Sequence, residues 1–287
     1  ALVVGSEGQL GIVTEATVRI VPKPEGARPM LIGFDSVEKA GTCVAHIIAS
    51  GIIPVAIEFM DKPAIEVCEA FAKAGYPLNV EALLIIEVEG SDEEISDRLK
   101  YISSLAQKLH PKTLLISADE TQSAKIWKGR KSAFGAIGRR ADYLCMDGTI
   151  PLSQLSNVLH QISVICRNHS LKVANVFHAG DGNLHPLIMF DANDQNQADR
   201  AEKAGAEILK LCVSVGGCPT GEHGVGIEKR DLMKVQFTDL DLQQQMRIKS
   251  IFDPLWLLNP AKVFPLTGRP DRLETSQYEN QAGSFYA

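Results

Sequence analysis

Short apolar runs alternate along this chain with longer stretches whose apolar residues recur at helical spacing. Met30–Phe34, Val55–Phe59, Ala82–Val88 and Thr113–Ser117 read as strands. Between them, Ser36–Ser50 reads as a helix capped by Ser36 and stopped by Gly51. Lys62–Lys73 reads as a second helix, and Ser91 with Glu94 forms a capping box that opens a third, to about Leu109. A helix over Asp119–Phe134 carries Trp127, Arg130 and Lys131. Tyr143–Ile150 is extended, and Pro151–His169 is amphipathic, with Leu152, Leu155, Leu159, Ile162 and Cys166 on one face. Lys172–Phe177 and Asn183–Phe190 flank Gly-Asp-Gly-Asn, strong turn chemistry for a hairpin. Helices over Gln195–Val215 and Leu240–Phe252 follow. This order predicts an α+β fold, with helices over one face of an antiparallel or mixed sheet.

The two ends read differently. The chain opens inside a glycine-rich segment, Gly5 to Gly11, followed by a strand-like run, Ala16–Val21, and a proline-broken linker over Pro22–Pro29. The opening therefore reads as the tail of a domain, and the stretch after Gly268 as a polar tail.

Composition narrows the function. With 287 residues, a net charge of −6 and 45% hydrophobic residues, the chain suits a globular protein with a sizeable core. Mild acidity argues against a nucleic-acid surface or an anionic membrane. No apolar stretch is long enough for a transmembrane helix. The six cysteines include no CxxC pair, and Cys43, Cys68, Cys166 and Cys212 sit in apolar helical patterns. That argues for a reducing, cytoplasmic setting and against a cysteine-ligated iron–sulfur cluster in this chain. There is no Walker loop and no GxGxxG.

The chemistry concentrates in two glycine-rich segments, VFHAGDGNLHP (176–186) and GEHGVG (221–226). They hold His178, His185, Glu222 and His223. Two imidazoles and a carboxylate suit a divalent metal, and a spare imidazole suits an acid or base beside it. His178 and His185 stand near the mouth of the predicted hairpin, where cross-strand side chains approach within about 5 Å. Glu222 and His223 are neighbours and would point apart on a regular strand. They share a site only if the chain bends, which Gly221, Gly224 and Gly226 permit.

These residues also carry a resemblance. GSEGQLGIVTEATVRIVPKP (5–24) resembles the last stretch of the flavin-binding domain of vanillyl-alcohol-oxidase-type FAD enzymes. WKGRKSAF (127–134), VFHAGDGNLHP, GEHGVG and LLNPAKVFP (257–265) resemble the FAD-linked oxidase C-terminal domain of the same enzymes. Within that family the chain resembles the D subunits of glycolate oxidase, relatives of the D-lactate and D-2-hydroxyglutarate dehydrogenases. The resemblance implies a remnant of an FAD-binding domain over 1–24, an FAD-linked oxidase C-terminal domain over 25–268 and a tail over 269–287. It implies His178, His185 and Glu222 as ligands of zinc, manganese or iron, His223 as catalytic base and Arg130 as the grip on a substrate carboxylate. It implies that Gly5, Ser6, Glu7, Gly8, Gly11 and Ile12, with Asn259 and Lys262, lie against FAD.

The implied reaction is FAD-dependent oxidation of a small 2-hydroxy acid, glycolate to glyoxylate first and D-lactate as the alternative. The implied partners are flavin and iron–sulfur subunits, with a cytoplasmic location or attachment through them to the inner face of the membrane. Cys145, Pro186 and Leu187 stand where the D-2-hydroxyglutarate enzymes have polar contacts, so a second substrate carboxylate is not expected. Because little of the flavin domain is represented, the chain by itself is expected to bind FAD poorly and to be inactive. A different class also fits the residues: an inactive, truncated metal-binding or assembly module. A metal-dependent hydrolase fits less well, because it leaves Gly5–Gly11 unexplained.

Overall fold

The computed structural model describes residues 2–266, so the polar tail expected over 269–287 lies outside the described residues. The described residues form two compact units: residues 22–217 make one, and residues 2–21 with 218–266 make the other.

The larger unit is built on nine strands: β1 (Gly26–Phe34), β2 (Ala56–Asp61), β3 (Ala82–Gly90), β4 (Thr113–Ile116), β5 (Asp142–Cys145), β6 (Gly148–Thr149), β7 (Lys172–His178), β8 (Asn183–Leu184) and β9 (Pro186–Phe190). They order as β4-β1-β3-β2-β7-β8-β6, with β9 on β7 and β5 on β9, and every pairing is antiparallel. Its helices are α1 (Val37–Ala49), α2 (Lys62–Ala72), α3 (Asp92–Gln107), α4 (Glu120–Lys131), α5 (Ala133–Gly138), α6 (Leu155–Asn168) and α7 (Gln195–Ser214).

Local chemistry accounts for the helix ends. The Ser36 side chain accepts from Lys39 N, and Gly51 takes the left-handed φ of +84° just beyond α1. Ser91 and Glu94 close the capping box of α3. Asp61 ends β2 and caps α2 with the same side chain.

The sheet departs from the expectation of one covered face. Met30–Phe34 and Ala82–Ile86 are buried at consecutive positions, and consecutive strand residues point to opposite faces, so both faces are covered. Leu31, Leu83 and Ile85 pack against α2, α4 and α5 through Ile65, Cys68, Ile126 and Ile137. The alternate residues face the layer of α1, α3, α6 and α7.

Further differences are local. The linker expected over Pro22–Pro29 ends earlier, because Gly26–Pro29 already pairs with Glu87–Gly90 in β1. The single helix expected over Asp119–Phe134 is two, α4 and α5, meeting at Ser132. The first turn expected of the helix at Pro151 is a separate 3-10 turn, Leu152–Gln154. Asn183–Phe190 is broken at His185, because Pro186 has no N–H to continue the ladder.

The smaller unit contains α8 (Met233–Gln236) and α9 (Asp239–Phe252), with Val225, Met233 and Leu242 buried together. Thr238 and Asp241 form a capping box for α9. The strand expected over Ala16–Val21 is absent: the run has no regular secondary structure and joins no sheet, with Val18 and Ile20 exposed. β-Branched residues favour a strand only where a neighbouring ladder and a packing surface receive them.

Candidate active site

In the larger unit the site is set by strand register. The hairpin of β7 with β8 and β9 places His178 opposite Asn183. His185, two residues on, lies on the same face and diagonal to His178, with the two imidazole rings 5.5 Å apart and nearly perpendicular. They are therefore diagonal neighbours rather than a directly opposed pair. Gly182, at φ +69°, makes the turn possible, and its carbonyl accepts from Ile150 N at 2.9 Å.

On the other side of β7, β2 places Glu58 directly opposite His178. Glu58 Oε1 lies 2.9 Å from His178 Nδ1. Glu58 Oε2 accepts from Arg130 Nε at 3.0 Å and lies 2.9 Å from Arg130 Nη2. Burial alone would push the Glu58 carboxyl up, but the His178 hydrogen bond and the Arg130 charge outweigh it and hold the carboxyl below the ordinary range. Arg130 is buried, not a solvated residue on a helix face.

The helix bearing Arg130 is held from three sides. Trp127 Nε1 donates to Glu87 at 2.7 Å, the Tyr76 hydroxyl donates to the Ile126 carbonyl, and Gly129 lies against the Tyr76 ring.

His185 is buried beside Asp147, which is fully buried, with Nε2 3.5 Å from Asp147 Oδ1. The Phe134 ring meets the His185 ring edge to face. Two close imidazoles with carboxylates beside each form a donor set of the kind that holds a borderline divalent ion, with the carboxylates orienting the rings. Cys145 pairs with Leu187 at the β5–β9 edge.

In the smaller unit the chain bends at Gly221–His223, so Glu222 and His223 turn to a common side, with Oε1 and Nε2 3.7 Å apart. Glu7 is engaged by that unit's backbone: its carboxylate accepts from Val225 N at 2.7 Å and Gly226 N at 2.9 Å. Asn259 Nδ2 donates to the Glu7 carbonyl, and Gln9 Nε2 donates to the Asn259 carbonyl at 2.9 Å. Lys249, buried on α9, donates to Gln9 O, Leu258 O and Asp253. Lys262 Nζ donates to Pro260 O at 3.0 Å.

Ser6, Glu7, Gly8, Gly11, Ile12 and Asn259 line a hollow of about 530 Å³, with Leu257 and Leu258. At Gly5 and Gly11 no atom lies within 4 Å of where a Cβ would stand, so the loop presents bare backbone. That chemistry fits a flat or phosphate-bearing cofactor approaching closely.

Glu58, Asp147, Gln9 and Lys249 join the candidate residues only through the structure. Two carried a signal. Glu58 stands among apolar residues in a doubly buried strand, where a lone carboxylate demands partners. Lys249 shares a helical stripe with the buried Leu242.

Residues 23–263 match the family model described as FAD linked oxidases, C-terminal domain. The chain is 47% identical over 94% of its length to glycolate oxidase subunit GlcD of Escherichia coli K12, covering 54% of that protein. It is 29% identical over 92% of its length to D-lactate dehydrogenase [cytochrome] 1, mitochondrial, of Saccharomyces cerevisiae, covering 46% of that protein. The chain thus spans about half the length of these curated relatives. The crystal structure of p-cresol methylhydroxylase with substrate bound shares the fold, at a TM-score of 0.66 and 13% identity, over 86% of this chain and 55% of that one. On the family match, this chain belongs to the FAD-linked oxidases and contains their C-terminal domain.

Proposed function

We propose that this chain is the substrate-handling part of an FAD-dependent enzyme that oxidises a small 2-hydroxy acid to the 2-oxo acid, glycolate to glyoxylate in the first instance. The observation that carries this is the Arg130–Glu58–His178 network beside His185. It sets a cation for a carboxylate close to paired imidazoles. The similarity to a protein named glycolate oxidase subunit supports glycolate, and the word subunit supports partner chains; flavin and iron–sulfur subunits are the partners that the sequence resemblance implies. Among the described residues no helix is long and apolar enough to cross a membrane. The buried thiols of Cys43, Cys68, Cys166 and Cys212 support a reducing, cytoplasmic location.

In this reading His178 and His185, with Glu222, hold a divalent ion, and Gly5, Ser6, Glu7, Gly8, Gly11, Ile12, Asn259 and Lys262 lie against FAD. When bound, the ion lowers the pKa of the substrate hydroxyl and FAD supplies the hydride acceptor. Arg130 spends Nε and part of Nη2 on Glu58, and its remaining N–H edge is a fork for the substrate carboxylate. That contact fixes the orientation of the hydroxyl-bearing carbon. His223, as a neutral imidazole, takes the hydroxyl proton on a ring nitrogen.

The test is dye reduction by the full-length protein with glycolate and with D-lactate. His223→Ala is expected to lower kcat by on the order of 10²–10⁴ while the metal content stays intact. Arg130→Ala is expected mainly to raise KM. Near wild-type kcat in His223→Ala on both acids refutes the assigned base. A second reading, D-lactate as the substrate, rests on the yeast relative and is decided by the ratio of the two kcat/KM values. No turnover on either acid from FAD-replete protein favours the metal-binding or assembly module.

A further inference from the structure

We propose that Glu58 is a positioning residue that serves the metal ligand and the substrate arginine at once, through its two separate oxygens. The inference rests on the reading of His178 as a metal ligand.

The register makes the arrangement. Glu58 and His178 are directly opposed across β2 and β7, and α4 delivers Arg130 from outside the sheet. Oε1 lies 2.9 Å from His178 Nδ1, while Oε2 takes Arg130 Nε at 3.0 Å and Nη2 at 2.9 Å. Glu58 is 5% exposed and Arg130 is 7% exposed, so water cannot replace either partner cheaply.

An ionised carboxylate only accepts hydrogen bonds. His178 must therefore carry a proton on Nδ1, and in the neutral imidazole this leaves the lone pair on Nε2, the form that ligates a metal. The same carboxylate fixes the plane of the Arg130 guanidinium. Two acceptor oxygens are needed because both neighbours are donors. A glutamine at this position has one acceptor. If its oxygen faces His178, its NH₂ opposes the guanidinium. If its oxygen faces Arg130, its NH₂ donates to Nδ1 and moves the imidazole proton to Nε2, the ligating atom. A residue with a merely space-filling role would tolerate this nearly isosteric exchange.

The experiment uses full-length protein stripped of metal with a chelator. Nitrogen-15 NMR of the wild-type histidines, assigned by comparison with His178→Ala, is expected to show His178 as the Nδ1–H tautomer. Zinc affinity, measured by competition with a chelating dye, is expected to fall by 10–100-fold in Glu58→Ala and by at least tenfold in Glu58→Gln. Glu58→Asp, which keeps both acceptors, is expected to recover part of that loss. An Nε2–H tautomer in the wild-type protein overturns the proposal without any variant having to fold. Zinc affinity lost in His178→Ala but within twofold of wild type in Glu58→Gln overturns the Glu58 proposal alone. Zinc affinity unchanged in His178→Ala overturns the metal assignment itself, and this proposal with it.

Discussion

Gly182→Ala tests the claim that the hairpin turn sets the geometry of the histidine pair. Gly182 has φ +69°, and an alanine held in that region costs about 1–2 kcal/mol. Its Cβ would stand 2.3 Å from the Ile150 carbonyl oxygen, a backbone atom that no rotamer change can move aside. Relief requires the turn and the segment after β6 to separate, which breaks the 2.9 Å hydrogen bond from Ile150 N to Gly182 O. That bond is worth about 1 kcal/mol. The expected destabilisation is therefore about 2–3 kcal/mol. At a urea slope of about 2 kcal/mol per molar, the midpoint falls by about 1–1.5 M. The control is in the same turn. Gly180 lacks a positive φ, and its Cβ would make ordinary contact with Ile57 at 3.5 Å, so Gly180→Ala is expected to be neutral or slightly stabilising. The assay is urea unfolding in a Trp256→Phe background, where Trp127 fluorescence reports the larger unit. A Gly182→Ala midpoint within experimental error of the background protein refutes the argument. So does a Gly180→Ala loss of equal size.

Three other outcomes follow from buried groups. Burial pushes the Asp61 carboxyl up to about 6 from an ordinary 3.8, against the pull of N–H groups from Asn175 and Ala64. Between about pH 4 and 6 the folded form thus holds a proton that the unfolded form has released, so this group's contribution is fully present below that window and is lost as pH rises through it. The stability of the wild type relative to Asp61→Asn should drop by up to about 3 kcal/mol across it, and a flat difference in urea titrations counts against the burial argument. Gly129→Ala would press a methyl to 2.5 Å from the Tyr76 ring and should cost about 1–3 kcal/mol, while Tyr76→Phe should cost about 1–2 kcal/mol for the bond to the Ile126 carbonyl, both read from urea midpoints. Burial pushes the thiols of Cys43, Cys68 and Cys212 to about 12 and Cys166 to about 11, so mass spectrometry after native-state treatment with a disulfide reagent at pH 8 should find these four unmodified.

Much of the fold is legible because its signals are local. Ser36, Ser91 with Glu94, and Gly51 act through bonds within one turn of their own helices, so sequence spacing is enough to read them. The apolar run Ala82–Val88 is legible as a strand for the same reason. What it leaves open is the number of covered faces, since that depends on which helices return to which side. Ala16–Val21 fails in the opposite direction. Its β-branched residues satisfy the strand pattern, but a strand is a paired object, and no ladder partner receives it among the described residues.

The site divides along the same line. Glycine-flanked imidazoles identify His178 and His185 because both lie in one hairpin whose turn chemistry is written in four consecutive residues. Glu58 lies 120 positions from His178 in the chain, and only the register of β2 against β7 makes them neighbours. Arg130 is further from Glu58 in kind as well, a helix residue meeting a strand residue. A carboxylate such as Glu58 can be flagged as needing partners, because burying it unpaired would cost several kcal/mol. Its partners cannot be named from that requirement alone. Lys249 follows the same logic: its place on the Leu242 stripe says that it is buried, and burial says that it must find acceptors. The acceptors are the carbonyls of Gln9 and Leu258 and the Asp253 carboxylate, brought together from both ends of the chain. The most informative residues in such a sequence are therefore the charged ones at core positions. Each poses a question of pairing that three-dimensional register answers, and in Glu58 the answer joins the two halves of the proposed chemistry.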